Sequence, residues 1–526
     1  MAESRTQSPA ARGPAAKDSG DTGFAEMTGA TLWIAGGLLA LANFMVVLDM
    51  TIANVSVPNI AGGLAVSPSQ GTWVITSYSV AEAITVPLTG WLAQRFGAVR
   101  VFVFAMLGFG LCSALCGLAQ SLPMLVVFRI LQGLSGGPMM PLSQTLMRRI
   151  FPQRLQPAAL GLWSMTTVVG PIAGPLLGGA LVDTAGWPWV FYINVPVAII
   201  CAAFAWRLLA SRETQTERER VDYVGLGLLI VWISAMQIML DKGKDLDWFN
   251  SKLIVALALI AAIGFVSFII WELTEQHPIV DLKIFRHRGF TAASIIMSLS
   301  FGAFFSTVVL IPLWLQTSMN YNATWAGRAM AFQGVLAVVM SPIVAKLTTK
   351  VDSRLLVTFG VGFMGLVSFW RTGFASNIDF WGVSLPQLAQ GFAMPFFFIP
   401  LMGLAMGSVL PRETASAAGL VNFMRTTAGA FGTSITTTAW ENIATTHRTD
   451  LVGILNKPQA MMDQMTAAGM SAGQALAQVD NMVQGQAVML ATDHVFLVTS
   501  VVFLAGATAV WIAPKPKAPA QLAAGH

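Results

Sequence analysis

Uncharged apolar stretches of about 18 to 25 residues recur along the whole chain, each long enough to cross a hydrocarbon core of roughly 30 Å as a helix. Lipid offers the backbone no hydrogen-bond partners, so a chain built this way must satisfy its own amides, and stretches of this length do so as helices. Only 10% of the 526 residues are charged, against roughly 25% in an ordinary soluble domain. A water-soluble globule of this size could not clothe itself with so little charge. The chain therefore reads as an all-α polytopic membrane protein.

Windows of about 19 residues give fourteen expected transmembrane helices: 31–54, 71–92, 100–119, 122–146, 158–181, 188–209, 222–240, 252–271, 290–313, 326–346, 355–375, 384–407, 416–440 and 490–512. With the amino terminus inside, 21 of the 30 basic residues fall in cytoplasmic loops or tails, 5 in external loops and 4 within helices. That skew is the positive-inside pattern, and it places both termini in the cytoplasm. It also accounts for the net charge of +5 through contact with the lipid bilayer, with no nucleic-acid partner required. Residues 1–30 and 513–526 read as cytoplasmic tails, the first disordered. Residues 441–489, rich in Gln, Ala, Met and Gly, make up an unusually long external segment that could form amphipathic helix and is either a solvated connector or a docking surface.

Two halves of the chain echo one another. LQGLSGGPMMP around Gln132 returns as AQGFAMPFFFIP around Gln390, and AALGLW at Ala158 returns as SAAGLV at Ser416, both at an offset of 258 residues (390 − 132 and 416 − 158). A third pair, PLTGWLAQRFGAVR from Pro87 and PIVAKLTTKVDSR from Pro342, is offset by 255. Three pairs in one order predict two parallel six-helix bundles, the major facilitator arrangement. Bundles at 31–209 and 290–512 are expected, the second including the 441–489 loop, with two extra helices in the linker 210–289.

LDMTIANVSVP in the first helix, GWLAQRFGAVR after the second, FRILQGLSGGP in the fourth, GPIAGPLLGG in the fifth and WPWVFYINVP entering the sixth resemble the motifs of the fourteen-spanning drug:proton antiporters. The likeness extends over nearly everything after residue 30 and is strongest with the EmrB-type branch of Gram-negative exporters. The resemblance implies proton-driven efflux of small hydrophobic or amphipathic drugs across the inner membrane. It also implies assembly with an EmrA-type periplasmic adaptor and a TolC-type outer-membrane channel. Gly90, Arg95, Gly97 and Arg100 would belong to the cytoplasmic gate. There is one departure: the family's loop carries Asp within G-x-x-x-D-R where this chain has Gln94 beside Arg95. The run Gly170, Pro171, Gly174, Pro175, Gly178 and Gly179 is the antiporter motif, and small residues there would in any case let helices approach closely.

Charge inside these helices needs a reason, because an ionised group at mid-membrane costs from about 2.5 kcal/mol upward. Asp49 lies about five residues below the external end of the first helix and Arg129 about seven below that of the fourth. At about 1.5 Å per residue both sit roughly 10 Å deep in one leaflet, so they can pair. Burial favours a neutral carboxyl and a nearby guanidinium favours an ionised one, and a carboxyl balanced between them can exchange a proton when access alternates. A static structural pair, or Asp49 capping the end of its helix, is the competing reading. Glu82, near the midplane of the second helix, is either a second proton carrier and cavity acid or incidental polar lining. Arg425 is equally deep on a cavity-lining helix, where it could attract anionic substrates or replace a proton in a charge balance. Arg328 and Arg371 are expected to snorkel to the interface. Met139, Met140, Met394 and Phe397 fall on cavity-forming helices, where adaptable side chains would suit varied drugs.

No G-x-x-x-x-G-K-S/T signature, metal-ligand cluster or catalytic constellation is present in the sequence. Neither ATP hydrolysis, a metal or other cofactor, nor covalent enzymatic chemistry is expected. A proton symporter for a nutrient, or a drug-binding sensor that moves nothing, are the alternatives to an exporter.

Overall fold

The computed structural model describes residues 27, 29–216, 221–319, 321, 323–375, 378–454 and 458–512, and among these it contains helices and no strand. The first half comprises α1 (Gly29–Gly63), α2 (Pro68–Gly71), α3 (Trp73–Thr85), α4 (Thr89–Phe96), α5 (Ala98–Gly117), α6 (Leu122–Gly136), α7 (Met139–Ile150), α8 (Gln156–Ala185), α9 (Trp189–Tyr192) and α10 (Asn194–Leu209). Next come α11 (Tyr223–Lys242) and α12 (Lys252–Thr274). The second half comprises α13 (Arg288–Thr317), α14 (Ala323–Leu347), α15 (Ser353–Arg371), α16 (Phe380–Gly407), α17 (Thr414–Ile454), α18 (Pro458–Ala467) and α19 (Ala472–Ala509).

Every one of the fourteen expected spans is occupied by helix. Three are broken near a proline, α3–α4 at Pro87, α6–α7 at Pro138 and α9–α10 at Ile193 just before Pro196, because proline lacks an amide donor and crowds the preceding turn. Ten stretches are long and apolar enough on those grounds alone to cross a membrane; the other four expected spans are α3–α4, α6–α7, α8 and α17. The expected tails lie outside the described residues, apart from Met27 and from Gly29 and Ala30, which already belong to α1.

Helix packing repeats the sequence repeat. In the first half α1 packs on α8 and α10, α3 on α6, and α5 on α6 and α10; in the second, α13 packs on α17 and α19, α14 on α16, and α15 on α16 and α19. The equivalent Gln-Gly pairs show why the sequence allows it. A side chain on Gly133 would meet the carbonyl of Tyr78, and one on Gly391 the carbonyl of Gln333. Lipid supplies no hydrophobic drive between helices, so such close packing and interhelical hydrogen bonds of about 0.6 kcal/mol each hold the bundles.

The halves meet at the end that carries Arg95, Arg148, Lys346 and Lys350, here called the basic end. Asn422 Nδ2 donates to Gln144 Oε1 at 3.1 Å, the Arg148 guanidinium donates to the Met406 carbonyl, and Gly90 lies directly against Ser416. Helix α11 packs on both α3 and α17 and so bridges the halves. It is pinned at one side by Lys242 Nζ donating to Thr72 Oγ1 at 2.6 Å. At the other, Ser434 Oγ donates to the Leu240 carbonyl at 2.8 Å. Helix α12 packs on α11 and leaves Leu259, Ile263, Val266 and Ile270 exposed, a surface suited to lipid.

The long external segment 441–489 is largely helical, the amphipathic-helix option that its sequence allows. Helix α17 continues to Ile454, α18 fills much of the turn, and α19 starts at Ala472 behind a reciprocal Ser471–Gln474 cap. Ala475, Val479, Val483 and Ala487 are buried at four-residue spacing on the helix that packs against α17, and Arg448 pairs with Asp480 at 2.6 Å. The segment is thus a paired stalk.

Candidate functional site

Asp49 is completely buried on α1, and its carboxylate takes three donors from two other helices, α6 and α10. Oδ2 accepts from Arg129 Nη1 at 2.7 Å. Oδ1 accepts from Gln132 Nε2 at 3.1 Å and from Asn194 Nδ2 at 2.7 Å. Arg129 is held on several sides: Nε donates to the Val74 carbonyl at 3.0 Å, Nη1 also reaches Gln132 Oε1 at 2.8 Å, and the guanidinium lies 4.2 Å from the Tyr78 ring centroid. Asn194 is steadied in turn by Ser113 Oγ at 3.1 Å. The expected Asp49–Arg129 partnership is thus a direct ion pair. Breaking such a pair by removing one member costs about 3–5 kcal/mol, since an uncompensated charge stays behind.

Gln132, Asn194 and Ser113 belong to this node and were missed as site residues. Gln132 was visible only as a repeat landmark and Asn194 only inside WPWVFYINVP. The available signal was an uncharged polar group in an otherwise apolar run.

The second half holds a counterpart. At the repeat offset of 258, Gln132 corresponds to Gln390, Asp49 to Thr307, Arg129 to Gln387 and Ser113 to Arg371. Gln390 Nε2 donates to Thr307 Oγ1 at 3.4 Å, as Gln132 does to Asp49. The Arg371 guanidinium donates through Nη2 to Gln390 Oε1 and, at 3.1 Å, to Gln387 Oε1. Arg371 is completely buried and its Nε and Nη1 have no hydrogen-bond partner among the described residues. The expectation that it snorkels to the interface is therefore wrong: it lies at the end of α15, but its side chain turns inward onto α16. Arg328 is exposed, 4.8 Å from the Trp325 ring centroid, as expected of a snorkelling side chain.

Between the halves lie Glu82 and Arg425. Glu82 is buried on α3 and makes no ion pair among the described residues; Asp49, Arg425 and Arg129 are the charges acting on it. The Arg425 guanidinium donates to Met140 Sδ at 2.8 Å and faces Phe301, Phe398 and Trp163 at 4.9, 5.6 and 5.8 Å from their ring centroids. These groups come from α7, α8, α13 and α16, so both halves build the cage. Met139, Met394 and Phe397 are fully packed in the adjoining core, Met394 accepting weakly from Gln333 Nε2 at 3.7 Å.

The glycine-proline run is divided by geometry. Added side chains at Gly170 and Gly174 would strike Val47 and Thr51 of α1, and one at Gly178 would touch Ile52 at 3.5 Å, whereas Gly179 faces open space. Pro171 and Pro175 lie within the same helix. Of the expected gate residues, Gly90 touches the opposite half at Ser416. Gly97 takes φ +93° against Glu213, Arg95 lies over the Trp91 and Phe96 rings at 5.5 and 5.7 Å, and Arg100 is exposed.

Two like-folded six-helix bundles, a bridging helix pair and buried polar nodes at equivalent depths define a membrane transporter of major facilitator architecture. The sequence model of the Major Facilitator Superfamily matches residues 39–433. The chain is 43% identical over 495 residues to Multidrug export protein EmrB of Escherichia coli (strain K12), covering 93% of this chain and 97% of that protein. It is 44% identical over 482 residues to Fatty acid resistance protein FarB of Neisseria gonorrhoeae, covering 91% and 95%. Against Probable multidrug resistance protein EmrY of Escherichia coli (strain K12) it is 40% identical over 500 residues, covering 94% and 97%. The chain belongs to the Major Facilitator Superfamily, in its EmrB-type branch.

Proposed function

We propose that this transporter is a proton-driven multidrug exporter of the inner membrane, with both termini cytoplasmic, moving hydrophobic or amphipathic compounds outward in exchange for protons. It acts as the inner-membrane part of a tripartite pump, with an EmrA-type adaptor and a TolC-type channel. The reading is of vectorial transport with no covalent chemistry by the chain.

The observation that supports proton coupling is the saturation of Asp49. Its ionised carboxylate takes donors from α6 and α10, so it locks three helices of the first half together. A proton on one oxygen converts an acceptor into a donor where only donors face it. The lock loosens, Arg129 loses its counter-charge, and the half is free to rock. Deprotonation on the other side resets it. Glu82 and Arg425, held in a cage to which both halves contribute, form the central site where a substrate's charge and apolar body are read. Support for the partners comes from relatedness to the named exporters and from the α17–α19 stalk, which projects opposite the basic end.

Inverted vesicles loaded with a pH dye test the reading. Adding drug should release protons with the parent protein, whereas Asp49→Asn should remain inserted and folded but release none. Normal drug-driven proton release by Asp49→Asn would overturn it.

A further inference from the structure

Arg371 ends α15 on the side remote from the basic end, in the second half's counterpart of the Asp49 node. It is completely buried and makes no ion pair among the described residues. We propose that this node binds a small monovalent anion, of which chloride is the simplest example, and that the anion supplies the counter-charge that Asp49 supplies in the first half.

The node holds more buried donors than acceptors. Arg371 Nη2 donates to Gln387 Oε1 and Gln390 Oε1, but Nε and Nη1 have no hydrogen-bond partner among the described residues. Gln387 Nε2 and Ser384 Oγ have none either, and both residues are buried on α16. Ser384 and Gln387 are three residues apart, so they share a helix face. Gln387 Oε1 lies 3.1 Å from Arg371 Nη2. Adding the amide's own bonds of about 1.2 and 1.3 Å puts Nε2 within about 6 Å of the guanidinium. One anion accepting from each at about 3 Å spans that distance.

Charge selects the class of ligand. The uncompensated charge is the costly part of a buried ionic node; a water molecule satisfies donors but leaves the charge, and a divalent anion exceeds the one cation. Protein carboxylates do not fill the role. Asp379 Oδ1 accepts from the Gly382 amide at 2.8 Å to cap α16, and Asp493, one turn from Phe496 on α19, makes no ion pair with Arg371. Ser376 and Asn377, the undescribed residues between α15 and α16, contribute no carboxylate by sequence. The Phe496 ring covers the guanidinium at 5.8 Å and packs on Phe374, which stacks on Trp314. That wall is apolar and suits a compact ion better than one with further polar groups. Gly373 and Ala375, just beyond Arg371, are exposed, so the route from water is short.

Binding of radiolabelled chloride to the purified full-length protein in nanodiscs, followed by scintillation proximity in sodium gluconate at constant ionic strength, gives the test. The parent protein should bind chloride saturably at a single class of site, with bromide competing and gluconate not. Arg371→Gln should weaken binding about tenfold or more, the loss of a charge-assisted contact. Gln387→Glu, which sets a built-in carboxylate beside the guanidinium, should weaken it as much; because Arg371 stays in place, this variant keeps the test decisive if Arg371→Gln does not fold. No saturable chloride binding by the parent protein, or binding unchanged in either folded variant, as for an adventitious ion only, would overturn the proposal.

Discussion

The two halves build the same device and fill it differently. Each places an arginine on the side-chain carbonyl of a Gln-Gly pair and uses the Gln amide to hold a group on the half's first helix. In the first half that group is Asp49, a carboxylate able to gain a proton. In the second it is Thr307, which cannot change charge, and the arginine comes from α15 instead of from the Gln-bearing helix. One node is thus a matched pair whose charge can switch, and the other is a fixed cation held by neutral acceptors. The repeat supplies the scaffold; on the proposed reading, the carboxylate makes only one side of it responsive to protons.

The largest expected contrast is between removing the two arginines. Arg129→Gln leaves Asp49 buried without its counter-charge and should lower stability by about 3–5 kcal/mol. Arg371→Gln orphans no charge and should cost less than about 1 kcal/mol, or stabilise. Thermal unfolding of both variants in one membrane mimetic checks this, and equal losses would erase the distinction between the nodes. Asn194→Ala should come next, because Asp49 Oδ1 loses its 2.7 Å donor. A cost of about 1–3 kcal/mol is expected, with a displaced pH profile of exchange that a merely structural role would not produce.

The α1–α8 contact that carries Asp49 offers a finer comparison within one motif. Gly174→Val meets Thr51 and should cost about 1–3 kcal/mol by overpacking, whereas Gly179→Val enters open space and should be near neutral in the same unfolding assay. The smallest effect is expected at the basic end, where Glu413 binds Arg286 at 2.6 Å and His287 at 2.9 Å. Burial works against the Glu413 carboxylate, but the Leu410 amide, His287 and Arg286 outweigh it and hold its pKa below the ordinary glutamate value. A depressed carboxyl contributes stability above its unfolded pKa and loses it as pH falls through the folded one. Acid unfolding curves should therefore lose a step below the ordinary glutamate range in Glu413→Gln and retain it in the parent protein.

Much of this was legible in the sequence because bilayer thickness and helical rise are fixed quantities. They gave the spans, and they placed Asp49 and Arg129 at one depth before any contact was known. Depth alone says nothing about direction, which is why Arg371, near a helix end, looked like a snorkelling side chain while it turns into the core. Gln132 and Asn194 carry no charge, so their one mark was a polar side chain in an apolar run, which does not say what it bonds. The 441–489 segment allowed helix in sequence but not its partner, because its helices bury alanine and valine against each other, a pattern of small residues that fits a solvated connector as well. Gly179 belongs to the motif in sequence, yet only geometry shows that its lack of a side chain is not needed for packing.

The central claim is that Asp49 changes protonation as substrate is handled. The direct measurement is proton release on drug binding to the purified transporter in weakly buffered solution, with binding followed in parallel by tryptophan fluorescence. The account predicts release by the parent protein and drug binding without release by Asp49→Asn; the same proton yield from both would contradict it.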